Sequence, residues 1–283
     1  AGRNAAGNRA GAGIGWRWAE PESEDLSERA GNETDLGESA LRFSLAGVQL
    51  KFSAVNEASG GLTIPAKGVG GSWIVKLPST RFPRVPENEF SMMTLAVKVG
   101  IDVPRIKLVS TDEIENFPPG MSGLEKTAYA IERFDRPPGG GAVHIEDFAQ
   151  VFRIFPENKY ARASNVNIAN VLAVETSDRD VAEFVRCVTF NMLIGNADMH
   201  VKNWSITYSD RRTPSLSPAY DFISTIPYLP GEKAALKVSR SSRFDEFSKE
   251  ELSHMASRAK LPNKLVLDTA RETAEGFREV WTA

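Results

Sequence analysis

The sequence predicts an α+β fold in two lobes, a small sheet-rich lobe followed by a larger helical one. Three observations carry that expectation. Short runs rich in β-branched and aromatic residues crowd the first half, whereas apolar residues at helical spacing dominate the second. One charged, Pro/Gly-rich connector, "FDRPPGGGAVH", lies between them. The length, 283 residues, suffices for two lobes around a cleft.

Residues 1–36 open with "AGRNAAGNRAGAGIG", small and polar with no apolar period, and read as a flexible leader or the remnant of an N-terminal region. "WRW" at Trp16 to Trp18 is the exception, since two tryptophans could dock on the domain or on a partner. Residues 37–136 form the sheet-rich lobe. "LRFSLAGVQLKFSAV" predicts strand, tight turn at Ala46-Gly47, strand, and "SWIVKLP" predicts a short strand ending at Pro78. "PENEFSMMTLAVKVG" predicts a helix, with proline and acids at its start, Phe90, Met93 and Val97 on one face, and Gly100 as its stop. "VPRIKLVS" and "TAYAIERFDR" are two further strands.

Residues 137–283 form the helical lobe. "IEDFAQVF" begins a helix, and "SDRDVAEFVRCVTFNMLIGN" is a long one that Ser177 or Asp178 caps. The loop "NADMHVKN" follows, then a strand, "WSITY", and finally helices separated by Pro262.

Composition excludes several classes. With 34 Lys and Arg against 37 Asp and Glu, the net charge of −3 provides no global field for nucleic acid or anionic membrane. No apolar run is long enough to span a bilayer, so a cytoplasmic protein without membrane contact is expected. Cys187 is the single cysteine, which rules out an intramolecular disulfide and a multi-cysteine metal site, and its apolar helical context predicts a buried, inert thiol.

The chemistry concentrates in "NMLIGNADMHVKNWSI" and "LSPAYDFIS". Phosphoryl transfer requires phosphates held, metal held and an acceptor hydroxyl aimed, with little covalent work by the protein. The chain offers a candidate for each. The turn "SLAGVQLK", through Ala46, Gly47, Val48 and Gln49, presents backbone amides to phosphates; Lys76 ends the strand "WIVK" as a point charge; Glu89 on the next helix pairs with Lys76. Glu132 and Phe134 sit where a hinge would meet an adenine ring. Asp198 and Asn203 share one loop at a spacing of five, as in the kinase catalytic loop, and Asp221 follows on a later turn. Taken alone, each is weak: Asp and Asn are common in loops, and an acid in a helix's first turn favours the helix dipole anyway. Their common order gives the reading its weight. His200, two positions after Asp198, has no neighbouring histidine for a zinc site and reads as a prop for the loop; His144 and His254 read as structural or surface residues.

Read together, "FSLAGVQLKFS", "WIVKLP", "NEFSMMTLAVKVGIDVP", "AIERFDR", "LIGNADMHVKNWSI" and "LSPAYDFIST" resemble the successive signatures of HipA-like serine/threonine kinases, toxins of bacterial toxin–antitoxin modules, over roughly residues 41–280. The resemblance implies a two-lobed protein-kinase-like fold, ATP with Mg2+, and a protein substrate such as an aminoacyl-tRNA synthetase. It also implies a small HipB-like helix-turn-helix antitoxin as partner, through which DNA is mainly reached. Asp198 would be the catalytic base, Asn203 and Asp221 the metal ligands. Lys76, His200 and Lys202 would contact the nucleotide, and Glu132 with Phe134 would present the hinge. Ser44 matches the family serine whose autophosphorylation ejects the glycine-containing loop; a phosphate there repels the phosphates of ATP.

The leader cannot supply the N-terminal subdomain of longer family members, so either the chain is truncated or a separate protein provides that subdomain. Two alternatives stand beside this reading. A small-molecule or lipid kinase would share the geometry, although the order "DMH" differs from the "HGD" of aminoglycoside phosphotransferases. A non-catalytic corepressor working with a DNA-binding antitoxin would use Arg211, Arg212 and "KVSRSSR".

Overall fold

The computed structural model describes residues 49–56, 62–65, 71–116, 125–137, 140–155 and 163–281. The leader, Trp16 to Trp18, Ser44, Ala46, Gly47 and Val48 lie outside them. Strands β1 (Lys51–Asn56), β2 (Leu62–Thr63), β3 (Trp73–Lys76), β4 (Ile106–Ser110), β5 (Ile114–Glu115) and β6 (Thr127–Glu132) form one sheet in the order β4-β6-β3-β1-β2-β5. All neighbours are antiparallel except β2 and β5. The expected strands "KFSAV", "WIVK", "IKLVS" and "TAYAIE" are therefore present.

The pleat of β6 explains how this sheet joins the rest of the molecule. Successive side chains of a strand face opposite sides. Tyr129 and Ile131 belong to the large core shared with the helices, while Ala128 and Ala130 belong to a smaller core with Trp73, Val75, Leu77 and Leu62. One strand thus seals two cores. The small alanines leave room on one face, and the large side chains anchor the other.

Helix α1 (Val85–Lys98) crosses the sheet face, with proline in its first turn and Gly100 just past its end at φ 88°, the left-handed geometry that glycine adopts without strain. Its buried face carries Glu89, Met93 and Ala96. "IEDFAQVF" departs from expectation: His144–Asp147 is a strand, β7, and only Phe148–Val151 form a one-turn helix, α2. Asp147 explains the switch. Its carboxylate caps the Gln150 N–H at 2.8 Å, and Gln150 returns the bond to the Asp147 N–H at 2.9 Å, so the helix cannot begin earlier.

Helix α3 (Asn165–Glu175) was not anticipated, because "NVNIANVLAVE" carries asparagines that favour turns; Ile168, Ala169 and Leu172 bury its face nonetheless. Helix α4 (Asp178–Leu193) starts at Ser177, as expected, in a reciprocal capping box with Asp180. Val181, Phe184, Val185 and Val188 recur on its buried side. Strands β8 (Ser205–Tyr208) and β9 (Ser215–Leu216) complete a second sheet in the order β7-β8-β9. Helices α5 (Lys249–Arg258) and α6 (Asn263–Trp281) close the lobe on either side of Pro262, and Phe277 of α6 meets Phe190 of α4 edge-on at 5.8 Å. Among the described residues, no helix is long and apolar enough to cross a membrane.

Candidate active site

The site is built where β3, α1 and two loops of the helical lobe meet. Lys76, the last residue of β3, is buried; its Nζ lies 2.6 Å from Glu89 Oε1 and also bonds Asp221 Oδ1. Lys76 and Asp221 are 145 positions apart in sequence, so only the tertiary fold brings them together.

One ammonium cannot neutralise two carboxylates in a desolvated setting, and the two acids accordingly move in opposite directions. Burial pushes the Glu89 carboxyl up to about 7, against the pull of Lys76. Asp221 is also penalised by burial, but Lys76 and Lys51 outweigh it and hold its carboxyl below the usual range. Burial alone would lower the Lys76 ammonium; Asp221 and Glu89 reverse this and raise it. Asp221 thus holds its charge more readily than Glu89, whose carboxyl burial drives toward the neutral form.

Asp221 adopts φ 59°, a left-handed backbone that costs a non-glycine residue roughly 1 kcal/mol and is least costly for Asp and Asn. Across the pocket, the loop after α4 begins at Gly195, φ 66°, where an added Cβ would lie 2.5 Å from Ile226 Cδ1. The positive φ favours glycine, and an added Cβ would also have to displace the Ile226 side chain. The loop then folds on itself. The His200 N–H donates to the Asp198 carbonyl at 2.8 Å, the Asn203 N–H to the His200 carbonyl at 2.9 Å, and Asn203 Nδ2 to the Asp198 carbonyl at 3.0 Å. The spacing of five is what lets the Asn203 side chain reach back to Asp198.

A polar pocket is lined by Gln49, Lys51, Lys76, Glu89, Asp198, Asn203, Asp221 and Ile223. It brings together six of the residues singled out from sequence and adds Lys51 and Ile223. Lys51 escaped notice because only the β1–β3 register sets it opposite Lys76. His200 is buried within the loop, Nε2 4.0 Å from Asp198 Oδ1, and does not line the pocket; Lys202 is exposed, and its carbonyl accepts a bond from the Tyr220 hydroxyl at 3.1 Å.

Glu132 and Phe134, expected from sequence to form a hinge, stand outside this pocket. The Glu132 carboxylate is clamped by Arg105 through two bonds of 2.6 Å, which lower its pKa, and the Glu132 N–H donates to the Arg105 carbonyl at 2.8 Å. That amide is therefore already engaged. The Phe134 ring lies 5.8 Å from Tyr220, the residue before Asp221. Cys187 is buried and burial raises its thiol, His144 stacks on Tyr208 at the surface, and His254 Nδ1 bonds the Ser239 hydroxyl at 2.7 Å.

A second layer of asparagines and threonine was not legible in the sequence. Asn196 Oδ1 accepts from the Asp198 N–H at 2.9 Å; its Nδ2 donates to Asn191 Oδ1 at 2.7 Å and to the Asp221 carbonyl at 3.4 Å. Thr225 Oγ1 accepts from the Ala197 N–H at 2.8 Å and donates to the Gly195 carbonyl at 3.1 Å. Asn88, beside Glu89 on α1, holds the Ser224 backbone through both amide atoms, at 2.9 and 3.0 Å. The only signal was the place of Asn88 beside Glu89 and of Asn196 two before Asp198, since isolated asparagines read as turn residues.

Residues 43–281 match the family model described as the HipA-like C-terminal domain. A Sinorhizobium fredii protein named as a candidate kinase, Y4dM, is 60 % identical over 247 residues, covering 86 % of this chain and 60 % of that protein. The serine/threonine-protein kinase toxin HipA of Shewanella oneidensis is 28 % identical over 211 residues, covering 66 % of this chain and 44 % of that protein. A solved structure of the Shewanella oneidensis HipA, HipB and operator DNA complex superposes with TM-score 0.68 at 23 % identity, over 85 % of this chain and 59 % of the matched one, and shows the common fold. The chain spans about 60 % of the length of Y4dM and less than half that of HipA. By its family match and the kinase-like α+β fold, the chain belongs to the HipA-like kinase family, in the region of that family's C-terminal domain.

Proposed function

We propose that the chain carries the phosphotransfer site of an ATP-dependent protein serine/threonine kinase that acts as the growth-inhibiting toxin of a toxin–antitoxin pair. The observation that carries this reading is the convergence of Lys76, Glu89, Asp198, Asn203 and Asp221 on one pocket.

The residues suit the groups such a reaction needs. Lys76 and Lys51 bring two cations to the pocket, and Gln49 Nε2 is buried without a hydrogen-bond partner among the described residues, a donor suited to a phosphate oxygen. Asp221 and Asn203 offer hard oxygen donors, and magnesium takes one or two carboxylates together with substrate phosphates rather than an all-protein cage. The metal would neutralise charge developing on the transferred phosphoryl group.

The chain's own residues do the rest. Lys76 holds phosphate oxygens, and Glu89 keeps its ammonium aimed, which would leave Asp221 available to hold a metal ion. Asp198 accepts the proton of the acceptor hydroxyl, and the turn through His200 and Asn203 fixes its backbone. His200 acts as a loop prop, Lys202 contacts the nucleotide, and Glu132 with Phe134 faces the adenine through groups other than the Glu132 N–H. Ala46, Gly47 and Val48 cover the phosphates, and phosphorylation of Ser44 switches the enzyme off.

The match to the HipA, HipB and operator DNA complex supports a HipB-like antitoxin as partner, with DNA reached through it, and the substrate we propose is a translation component such as an aminoacyl-tRNA synthetase. Direct DNA contact gains little from the basic segment, because Arg240 is paired with Glu251, and Arg243 with Asp245 and Glu246. The test is intact-mass and phosphopeptide analysis after incubation with Mg-ATP, for wild type and Asp198→Asn. Phosphate on Ser44 in the wild type alone supports the assignment; equal phosphorylation of both proteins refutes Asp198 as the base.

A further inference from the structure

Resting on that kinase reading, we propose that Asn196 is a positioning residue that ties the Asp198 loop to the Asp221 loop through their backbones, so that proton acceptor and metal ligand keep one relative placement. Asn196 is 1 % exposed. Its amide is planar, with an acceptor and donors in fixed relation, so one side chain can read two strands of backbone at once. The acceptor takes the Asp198 N–H at 2.9 Å; the donor reaches Asn191 Oδ1 at 2.7 Å and, in a longer bond, the Asp221 carbonyl at 3.4 Å.

The orientation of that amide is itself fixed from below. Asn191 Nδ2 donates to the Cys187 carbonyl inside α4 at 2.8 Å, which leaves Asn191 Oδ1 to receive Asn196. The chain of bonds therefore runs from the rigid body of α4 through Asn191 to Asn196 and then to the two functional loops. Closing the helix end does not require this side chain, since the Asn196 N–H already donates to the Asn191 carbonyl at 3.0 Å. Aspartate at 196 would keep the acceptor but lose the donor, and would bury a charge two residues from Asp198.

The test compares wild type, Asn196→Ala, Asn191→Ala and the double variant. Autophosphorylation is followed by intact mass in single turnovers against Mg-ATP concentration, and amide hydrogen exchange is followed in peptides spanning 196–203 and 219–225. Asn196→Ala is expected to lower the maximal rate about 10- to 100-fold, the range typical of removing a residue that orients ligands, with half-saturating ATP within about threefold. Asn191→Ala lowers it less, and the double variant is no slower than Asn196→Ala, because both act through one chain of bonds. Exchange accelerates in both peptides.

A maximal rate within about twofold of wild type, additive losses in the double variant, or faster exchange in one loop only overturns the proposal. If Asn196→Ala does not fold, Asn191→Ala decides by the same rate and exchange criteria. If the wild type transfers no phosphate while binding Mg-ATP, the kinase reading fails, and the exchange experiment still judges the coupling of the loops.

Discussion

Replacing Glu89 with glutamine removes the group whose proton affinity the fold alters most informatively. The Glu89 carboxyl rises from its ordinary value near 4.5 to about 7. A group whose pKa is raised on folding binds more protons in the folded state, so its contribution to stability is full below pH 4.5 and is lost as pH rises toward 7. The span of about 2.5 pH units corresponds to about 3 kcal/mol at 1.36 kcal/mol per unit. Glu89→Gln keeps the shape and the hydrogen-bonding reach toward Lys76 without titrating. Relative to the difference between the two proteins at pH 5, the variant should therefore gain about 2–3 kcal/mol on wild type by pH 8. Urea unfolding at pH 5, 6, 7 and 8 measures this directly. The same substitution should lower phosphotransfer at pH 8, since an uncharged partner no longer draws Lys76 away from Asp221. Stability and activity would then move in opposite directions. Stability curves that stay parallel from pH 5 to 8 would refute the account of one lysine shared by two buried acids.

Asp198→Asn should reduce phosphate transfer by at least about 100-fold, the scale of general-base loss, while calorimetry with Mg-ATP shows binding within a few-fold of wild type. Lys51→Met, which removes a pocket cation from a strand surface, should raise half-saturating ATP about 10-fold in the same titration with little change in Tm. Gly195→Ala should cost about 2 kcal/mol or more in urea unfolding, from the positive φ and the contact with Ile226. In an Ile226→Ala background the contact is relieved and about 1 kcal/mol of backbone strain should remain; an equal cost in both backgrounds would remove Ile226 from the explanation.

The parts of the fold legible in the sequence were those where local signals agreed with tertiary demands. Helix α1 had proline, acids and Gly100, although Val97 of its expected face is exposed; α4 had Ser177; β3 was apolar to its end at Lys76. What stayed hidden depended on pairing. Two-residue strands such as β2 and β5 have no period of their own, and β7 is a strand because β8 lies beside it, not because of "HIED". Helix α3 is held by burial of Ile168 and Leu172 against the unfavourable propensity of its asparagines.

The same division runs through the site. Lys76, Glu89, Asp198, Asn203 and Asp221 could be named because each is a chemically charged or coordinating residue in a recognisable order. Asn88, Asn196 and Thr225 could not, because their partners are main-chain atoms, and a backbone carbonyl carries no residue identity for a sequence to display. Yet these three determine where the nameable residues stand. Asn88 holds the Ser224 backbone to α1, immediately beside Glu89, while Thr225 and Asn196 hold the same segment to the Asp198 loop. The Asp221 segment is therefore gripped from both sides by neutral amides and a hydroxyl, which add no charge to a pocket where a single lysine already serves two carboxylates. Charged residues in those positions would make stronger bonds but would shift the protonation of Glu89 and Asp221, so a neutral supporting layer lets the reacting layer keep its charges.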